Sequence, residues 1–335
     1  MNRQGGRVLA AVVAVLAVVV AGCGGTIQAD AGAGNADVAT GGRLFATADA
    51  ETAKFGADVG PGVFPRTITH SRGTTKVPAK PTRVVVLDAG ELDAVLSLGV
   101  TPVATATTNA TVPSYLPAAK GIPTIGEQNS LNLEAIAAAK PDLILGSKLR
   151  ADQLYDKLST IAPTVFSIRP GFPWKEDFLL VGSALGEETK AVQVLNDYQT
   201  AANEVKAELT GAPTISLVRF MPGRLRLYGN LSFLGVILED VGLARPKIQD
   251  IDELATEIST ERINEADADW IFYASYGPPA GTDQNAVVNG QLWAGLSAVK
   301  AGHVQAVNDE VWFLGLGPTG AGQVLKDLQG YLAKR

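Results

Sequence analysis

The chain has few of the residues that build disulfides, metal sites and nucleic-acid interfaces. Its 335 residues include one cysteine and two histidines, so an intrachain disulfide is excluded and a histidine-rich metal site is not available. The net charge of −6 and the pI of about 5.1 leave no surplus of basic residues to neutralise phosphates. We therefore expect no nucleic-acid partner, no metal held by the protein's own side chains and no cofactor.

The common catalytic motifs are also absent. There is no G-x-S-x-G, no H-E-x-x-H and no P-loop, so we expect no enzymatic activity and no catalytic residues. The segment GLGPTG (315–320) matches G-x-G-x-x-G. A dinucleotide fold needs a further strand and an acid about 20 residues later, and the sequence up to Arg335 supplies neither. We interpret the segment as a glycine-rich turn near a cleft.

Residues 1–22 have the organisation of a secretory signal. Arg3 and Arg7 precede an unbroken apolar run, 8–21, which is too short for a comfortable membrane span. The letters VAGC end at Cys23 and resemble the bacterial lipobox, in which the cysteine is acylated and becomes the first mature residue. The alternative is an ordinary secreted protein in which the cysteine is incidental.

The segment 23–65 predicts an acylated cysteine followed by a flexible tether. From residue 24 onward it is rich in Gly, Ala, Asp and Thr and has no sustained hydrophobic period, which is typical of chain that buries too little apolar surface to order itself. We expect a globular body at the extracytoplasmic face of the cell membrane, touching the membrane through the lipid anchor only.

The remaining residues predict an α/β fold with two lobes. In 66–186 and again in 212–335, β-branched runs alternate with helical patterns, as expected for lobes with central, mostly parallel sheets. The segment 187–211 carries one long apolar stripe and predicts a single rigid helix that joins the lobes. Such an arrangement leaves a ligand cleft between the lobes, at the carboxyl ends of the strands.

Several segments resemble one family in the same order along the chain. They are THSRGTTKVPAKPTRVVVLD (69–88), NLEAIAAAKPDLIL (132–145), YDKLSTIAPTV (155–165) and STERINEADADWIF (259–272). They resemble the iron-siderophore-binding lipoproteins of bacterial ABC importers, with the lipobox and tether nearest to the ferric-dicitrate-type group of actinobacteria. The resemblance implies a monomer that captures a ferric siderophore and delivers it to permease subunits. Its lobes are expected to shift only modestly on binding.

The resemblance also implies ligand-binding residues. Arg150 stands five residues before Tyr155, where relatives place a ligand-facing arginine. Arg224 and Arg226 lie two apart on a predicted strand; we expect only one of them to face the cleft and favour Arg226. Aromatic candidates flank predicted strand ends: Trp174, Tyr228, Tyr273, Tyr276 and Trp312. A further arginine that follows a serine in some relatives is absent, since Phe233 follows Ser232, which argues against a tris-catecholate ligand.

Two glutamates occupy corresponding places in the two lobes. Glu134 follows the predicted cap Asn132, and Glu261 follows the predicted cap Ser259 at the same offset. An acidic residue in the first turn stabilises any helix, whatever its function. In the resembling family, however, these positions hold the glutamates that meet arginines on the permease, and we expect the same role here.

Other interpretations remain open at this stage. A siderophore fills the coordination shell of ferric iron with its own hard oxygen ligands, so iron arrives as a complex and the protein supplies no metal ligand. The same cleft is compatible with haem or a corrinoid, although only two histidines are available as axial ligands. A cell-envelope scaffold with a non-binding cleft is the alternative from a different class.

Overall fold

The computed structural model of the protein describes residues 47–209 and 211–332. The predicted signal peptide and Cys23 lie outside the described residues. Within the described part, no helix combines the length and apolar composition that crossing a membrane requires.

The first lobe is built around a six-stranded sheet. In spatial order its strands are β7, β6, β5, β4, β8 and β9, and only the outermost pair, β7 with β6, is antiparallel. These strands are β4 (Val84–Val86), β5 (Ala104–Thr107), β6 (Thr124–Glu127), β7 (Ser130–Leu131), β8 (Leu143–Ser147) and β9 (Thr164–Ser167). The helices are α2 (Ala89–Ser97), α3 (Leu133–Ala138), α4 (Lys148–Ala151), α5 (Tyr155–Ile161) and α6 (Trp174–Leu185). Separate apolar clusters cover the two faces of the sheet, as parallel strands require.

The second lobe has a five-stranded sheet in the order β12, β11, β10, β13 and β14. Two of its pairings are parallel and two are antiparallel, so it is more mixed than the alternation of strands and helices predicted. The strands are β10 (Ile215–Met221), β11 (Arg224–Tyr228), β12 (Ala255–Ile258), β13 (Trp270–Ser275) and β14 (Val304–Ala306). The helices are α8 (Phe233–Val241), α9 (Gln284–Val288), α10 (Gln291–Ala294), α11 (Ser297–Ala301), α12 (Asp309–Trp312) and α13 (Pro318–Leu332).

One long helix, α7 (Glu188–Glu208), connects the lobes. Its 21 residues make it about 30 Å long. The buried positions Ala191, Tyr198, Ala202 and Val205 follow the predicted stripe, and the helix packs on α6, α8 and α13. The predicted interlobe helix is therefore present in the structure.

Residues 47–65, which the composition assigned to the tether, are ordered. They contain α1 (Ala48–Thr52) and β1 (Gly56–Ala57), and β1 pairs with the hairpin of β2 (Arg66–His70) and β3 (Gly73–Val77). The tether prediction rested on the low content of apolar residues. It failed for this segment because a strand that pairs with a neighbouring strand needs few apolar side chains to be ordered. The guanidinium of Arg66, at the start of β2, forms an ion pair with Glu188 at the start of α7 and so ties this small sheet to the interlobe helix.

A second connection between the lobes is a buried carboxylate. Asp93 on α2 is fully buried and accepts hydrogen bonds from the backbone N–H groups of Thr319 and Gly320, both at 3.0 Å. These groups belong to the first turn of α13, so an acid of the first lobe caps a helix of the second. A side chain at Gly317 would collide with Asp93. The segment GLGPTG, which matches the dinucleotide motif only formally, thus has a structural role in the contact between the lobes.

We expect Asp93→Ala to lower the free energy of unfolding by about 1–3 kcal/mol, because two buried N–H groups lose their acceptor. Denaturant unfolding at neutral pH measures this. Glu204→Ala, at an exposed position of α7, is the control and is expected to change stability by less than about 0.5 kcal/mol. An equal loss in both variants contradicts the bridging role of Asp93.

Candidate ligand-binding cleft

The carboxyl ends of the parallel strands of both sheets border one cleft. The segments after β8 and β9 enter it from the first lobe, and β10, β11 and the segment after α12 enter it from the second. An outer cavity of ≈ 770 Å³ is lined by first-lobe residues, and an inner cavity of ≈ 190 Å³ by residues of both lobes. Leu149, Arg150 and Arg169 line both cavities, so the two are continuous. The expected location of the cleft is confirmed.

Arg150 is placed on the cleft wall by α4, which begins directly after β8. It is half-buried and lines both cavities. Its Nε is inaccessible to solvent, and the side chain makes no hydrogen bond or ion pair with any residue in the described ranges. A half-buried guanidinium without a protein partner is a site for an anion or an acceptor group of a ligand.

Arg169 was not singled out from the sequence. It follows β9 as Arg150 follows β8, and only 4% of it is exposed. Its guanidinium lies 5.4 Å from the centre of the Phe172 ring, and its Nε donates to the carbonyl of Pro170 at 3.1 Å. Burial lowers the pKa of Arg169 to about 9, with the nearby charge of Asp177 opposing this effect and that of Arg150 adding to it. Its position at the end of a parallel strand is the signal that sequence reasoning overlooked.

Arg219, on β10, is the second arginine that the sequence did not reveal. Two nitrogens of its guanidinium donate to the two carboxylate oxygens of Asp309 at 2.6 Å, and a third donates to the phenolic oxygen of Tyr228 at 3.1 Å. Burial alone lowers the pKa of Arg219, but the charges and hydrogen bonds of Tyr228 and Asp309 outweigh it and raise the pKa above its ordinary value. Arg219 therefore stays charged, its charge is balanced by that of Asp309, and its side chain is held in place in the wall of the cleft.

Arg226 lines the inner cavity, whereas Arg224 lies near the exposed end of β11. Our reasoning from their spacing was wrong, because side chains two apart on a strand lie on the same face. Both approach Glu257, with Arg226 Nε at 2.9 Å and Arg224 at 3.6 Å from its Oε1. Depth separates them: the side chain of Arg226 is 7% exposed and that of Arg224 is 48% exposed.

The aromatic candidates separate into cleft and core. Tyr228 lines the inner cavity, and the ring of Tyr276 lies 4.8 Å from the guanidinium of Arg219. The hydroxyl of Tyr276 also donates to Asn109 at 3.2 Å, which links the two lobes. Trp312 borders the inner cavity but is fully buried, with its indole N–H donating to Asp327.

Trp174 is a core residue, contrary to our expectation, whereas Tyr273 is half-buried beside the core of the second lobe and lines neither of the two cavities. Trp174 is 1% exposed and packs edge-on against Tyr198 and Phe233. Tyr273 packs against Phe220 and Trp293. Whether an aromatic side chain near a strand end points into the cleft or into the core depends on the face of its strand or helix on which it lies. Tertiary packing decides which of these faces is buried.

The two walls of the cleft differ in charge compensation. On the second lobe, Arg219 and Arg226 are paired with Asp309 and Glu257. On the first lobe, Lys148 and Arg150 make no ion pair within the described ranges. An anionic ligand is therefore attracted mainly to the first-lobe wall, and the second-lobe wall offers ordered aromatic and apolar surface.

Glu134 and Glu261 occupy equivalent positions in the two lobes. Each is exposed and lies in the first helical turn after the antiparallel edge strand of its sheet, β7 or β12. Asn132 caps α3 as expected, by accepting from the N–H of Ala135 at 3.0 Å. Ser259 does not cap with its side chain, and the turn Thr260–Ala266 is a 3-10 helix rather than an α-helix.

Comparison with known proteins identifies the family. The profile of the family described as periplasmic binding protein matches residues 84–311. The chain belongs to the periplasmic binding protein family. The family resemblance recognised in the sequence, and the expected two-lobed α/β fold, are thereby confirmed.

Individual relatives of this periplasmic binding protein are similar over most of its length. The probable siderophore-binding lipoprotein YfiY of Bacillus subtilis is 35% identical over 287 residues, covering 80% of this chain and 88% of that protein. The Fe(3+)-citrate-binding protein YfmC of the same organism is 29% identical over 272 residues, covering 78% and 85%. The crystal structure of Staphylococcus aureus SirA complexed with staphyloferrin B has a TM-score of 0.73 at 31% identity, covering 79% of this chain and 98% of that one.

We expect Arg150→Ala to weaken the binding of an anionic ligand by tenfold or more, about 1.4 kcal/mol, because a cation without a protein partner is lost from the wall. Fluorescence titration with iron(III)–citrate as the probe measures the affinity. Lys120→Ala removes an exposed cation that precedes β6, at the end of the sheet away from the cleft, and is the control. If the two variants bind alike, Arg150 is not in the site.

Proposed function

We propose that the protein captures a ferric siderophore or a related ferric chelate and delivers it to the permease of an ABC importer. The observation that carries this proposal is the cleft between the lobes, in which Lys148 and Arg150 face the cavity without ion pairs in the described ranges. Relatives named as a probable siderophore-binding lipoprotein and as an Fe(3+)-citrate-binding protein support the same ligand class.

The proposed chemistry requires little of the protein beyond charge and shape. Iron(III) is a hard cation, and a chelator that supplies all its oxygen ligands from citrate-type carboxylates or catecholates leaves the complex with a net negative charge. Arginines remain charged at any physiological pH and offer planar donor forks to carboxylates. Tyr228, Phe313 and Leu254 provide the apolar surface against which the remainder of such a ligand packs.

The same proposal places the protein at the extracytoplasmic face of the cell membrane, where it acts as a monomer held by a lipid on Cys23. The support is the leader sequence that ends at Cys23 and the word lipoprotein in the name of the relative YfiY. Delivery then involves a membrane-embedded partner that contacts the exposed rim of the cleft.

For that contact we propose Glu134 and Glu261, one from each lobe. Both are exposed in the first turn after an edge strand, so neither contributes to a core. Hydrogen bonds from its own backbone N–H and from the hydroxyl of Ser259 hold the pKa of Glu261 below its ordinary value, which keeps it charged at neutral pH. Two negative side chains, one per lobe, are suited to two basic positions on a permease with two subunits.

We expect titration with a ferric siderophore to quench the tryptophan fluorescence of the protein, because Trp312 borders the inner cavity and ferric chelates absorb light at the emission wavelengths. The ligands to compare are iron(III)–citrate, a ferric hydroxamate and a ferric mycobactin-like chelate. The same chelators carrying no iron are the control for nonspecific effects.

Absence of quenching and of any thermal shift across this panel contradicts the proposed function. A Soret band in the purified protein instead identifies haem as the ligand. A colourless protein that binds none of these ligands leaves only the role of a non-binding scaffold.

We expect the double charge reversal Glu134→Lys with Glu261→Lys to abolish uptake of the iron complex by cells, while the affinity of the purified protein for its ligand stays within twofold. The melting temperature is expected to fall only slightly, since an acid in a first helical turn contributes about 0.3–1 kcal/mol. The matched control reverses Asp197 and Glu204, which are exposed on α7. Uptake that persists in the first variant contradicts the docking role.

A further inference from the structure

A small cavity lies beneath the floor of the cleft. It is bounded by α2 and α6 of the first lobe and by residues 316–318 of the second. Its volume of ≈ 10 Å³ corresponds to the space of about one water molecule. Glu91, Asp177 and the almost fully buried Trp174 line it.

Three buried polar atoms meet at this cavity. Glu91 Oε2, Asp177 Oδ1 and the indole N–H of Trp174 are inaccessible to solvent and make no hydrogen bond within the described ranges. Asp88 lies beside them and uses one oxygen to accept from the N–H of Gly90 at 2.8 Å, at the start of α2. Buried acceptors without partners are costly unless a water or a proton satisfies them. We call Asp88, Glu91 and Asp177 the carboxyl cluster.

The electrostatics of the site favour bound protons on Glu91 and Asp177. Burial raises the pKa of Glu91 well above its ordinary value, and the charges of Asp88 and Asp177 raise it further. Burial also raises the pKa of Asp177, with Asp88 and Glu176 adding to the rise and Arg169 opposing it. At Asp177 the charge of Arg169 thus opposes the combined effect of burial and of the carboxyl groups of Asp88 and Glu176.

Arg169 connects this cluster to the ligand site. Its charge acts on Asp177 beneath the floor, and the same side chain lines both cavities of the cleft above. The contacts with Phe172 and with the carbonyl of Pro170 hold it in that position. A buried cation is stabilised by any anion that reaches it.

We propose that Arg169 is a second anion-binding residue of the cleft beside Arg150, and that the carboxyl cluster behind it takes up a proton when an anionic ligand binds. This inference rests on the proposed function. The proton comes from solvent and settles on a carboxylate oxygen of Glu91 or Asp177, so no covalent bond other than O–H is formed.

The direction of the effect follows from linkage. A negative ligand at Arg169 brings a like charge toward the cluster and disfavours its ionised form, so the bound protein holds more protons than the free protein. Affinity therefore decreases as the pH rises through the range in which the cluster ionises. By reciprocity, acidification strengthens the binding of the anion.

The other charged groups around the carboxyl cluster do not reverse the sign of the coupling between anion binding and proton uptake. Glu176 on α6 adds negative charge at Asp177, and Arg150 acts on the neighbouring Arg169 from the cleft. Asp93 on α2 contacts Gly317 but is engaged by the N–H groups of α13, and Lys175 on α6 is bound to Asp240. Residues 316–318 bring no charged side chain.

Calorimetric titration of the full chain with iron(III)–citrate tests the proposal. Titrations in pairs of buffers with different ionisation enthalpies, between about pH 5.5 and 8, give the number of protons taken up per ligand bound. Every variant is titrated with the same ligand. The protons that the ligand itself gains or loses therefore cancel when two variants are compared.

We expect the wild type to take up a fraction of a proton, and Glu91→Gln, which imitates the protonated acid, to take up less than half as much. Arg169→Gln is expected to bind at least tenfold more weakly. Glu204→Gln on the exposed face of α7 is the control for an acid-to-amide change and is expected to match the wild type.

Three results overturn the inference: an affinity of Arg169→Gln within twofold of wild type, an unchanged proton uptake in both Glu91→Gln and Asp177→Asn, or a rise of affinity with pH that depends on Glu91. If Arg169→Gln does not fold, Arg169→Met, which is uncharged and unbranched, replaces it, and an affinity within twofold of wild type in that variant overturns the inference in the same way. A wild type that binds no ferric chelate overturns the proposed function instead.

Discussion

The relative position of the two lobes depends on α7 and on the capping of α13 by Asp93. A single helix of 21 residues resists bending, and a buried carboxylate that satisfies two backbone N–H groups of the other lobe adds a second fixed point. Two connections of this kind restrict opening far more than a flexible linker does. The carboxyl ends of both sheets therefore face each other across the cleft, and the other features of the site depend on that geometry.

Within this frame, charge is distributed unequally between the walls. The second-lobe arginines are fixed by Asp309 and Glu257, so they mainly order Tyr228, Tyr276 and the neighbouring backbone. On the first lobe, Arg169 interacts electrostatically with Asp177 of the carboxyl cluster beneath the floor. A ligand that carries negative groups on one side satisfies this asymmetry, and it couples the occupancy of the cleft to buried protons that are otherwise remote from solvent.

Sequence reasoning located the site more reliably than it identified its residues. Arg150 was found through the family resemblance, by its distance from Tyr155, whereas Arg169 follows the next strand in the structure and was overlooked. Arg219 lies within β10, and a search for residues that follow the ends of strands does not find it. Trp174 was expected in the cleft and is buried under α7, because the direction of an aromatic side chain depends on which helix covers it.

The sequence by itself determined the alternation of strands and helices, the long joining helix and the family, because hydrophobic periodicity and short motifs are local properties of the chain. It also placed Asn132 correctly as a cap, since capping involves neighbouring residues only. The tertiary structure decided which charges compensate one another: Asp93 with α13, Arg219 with Asp309, and Arg66 with Glu188 join residues 90 or more positions apart. Such pairs depend on packing between lobes and layers, and no local pattern encodes them.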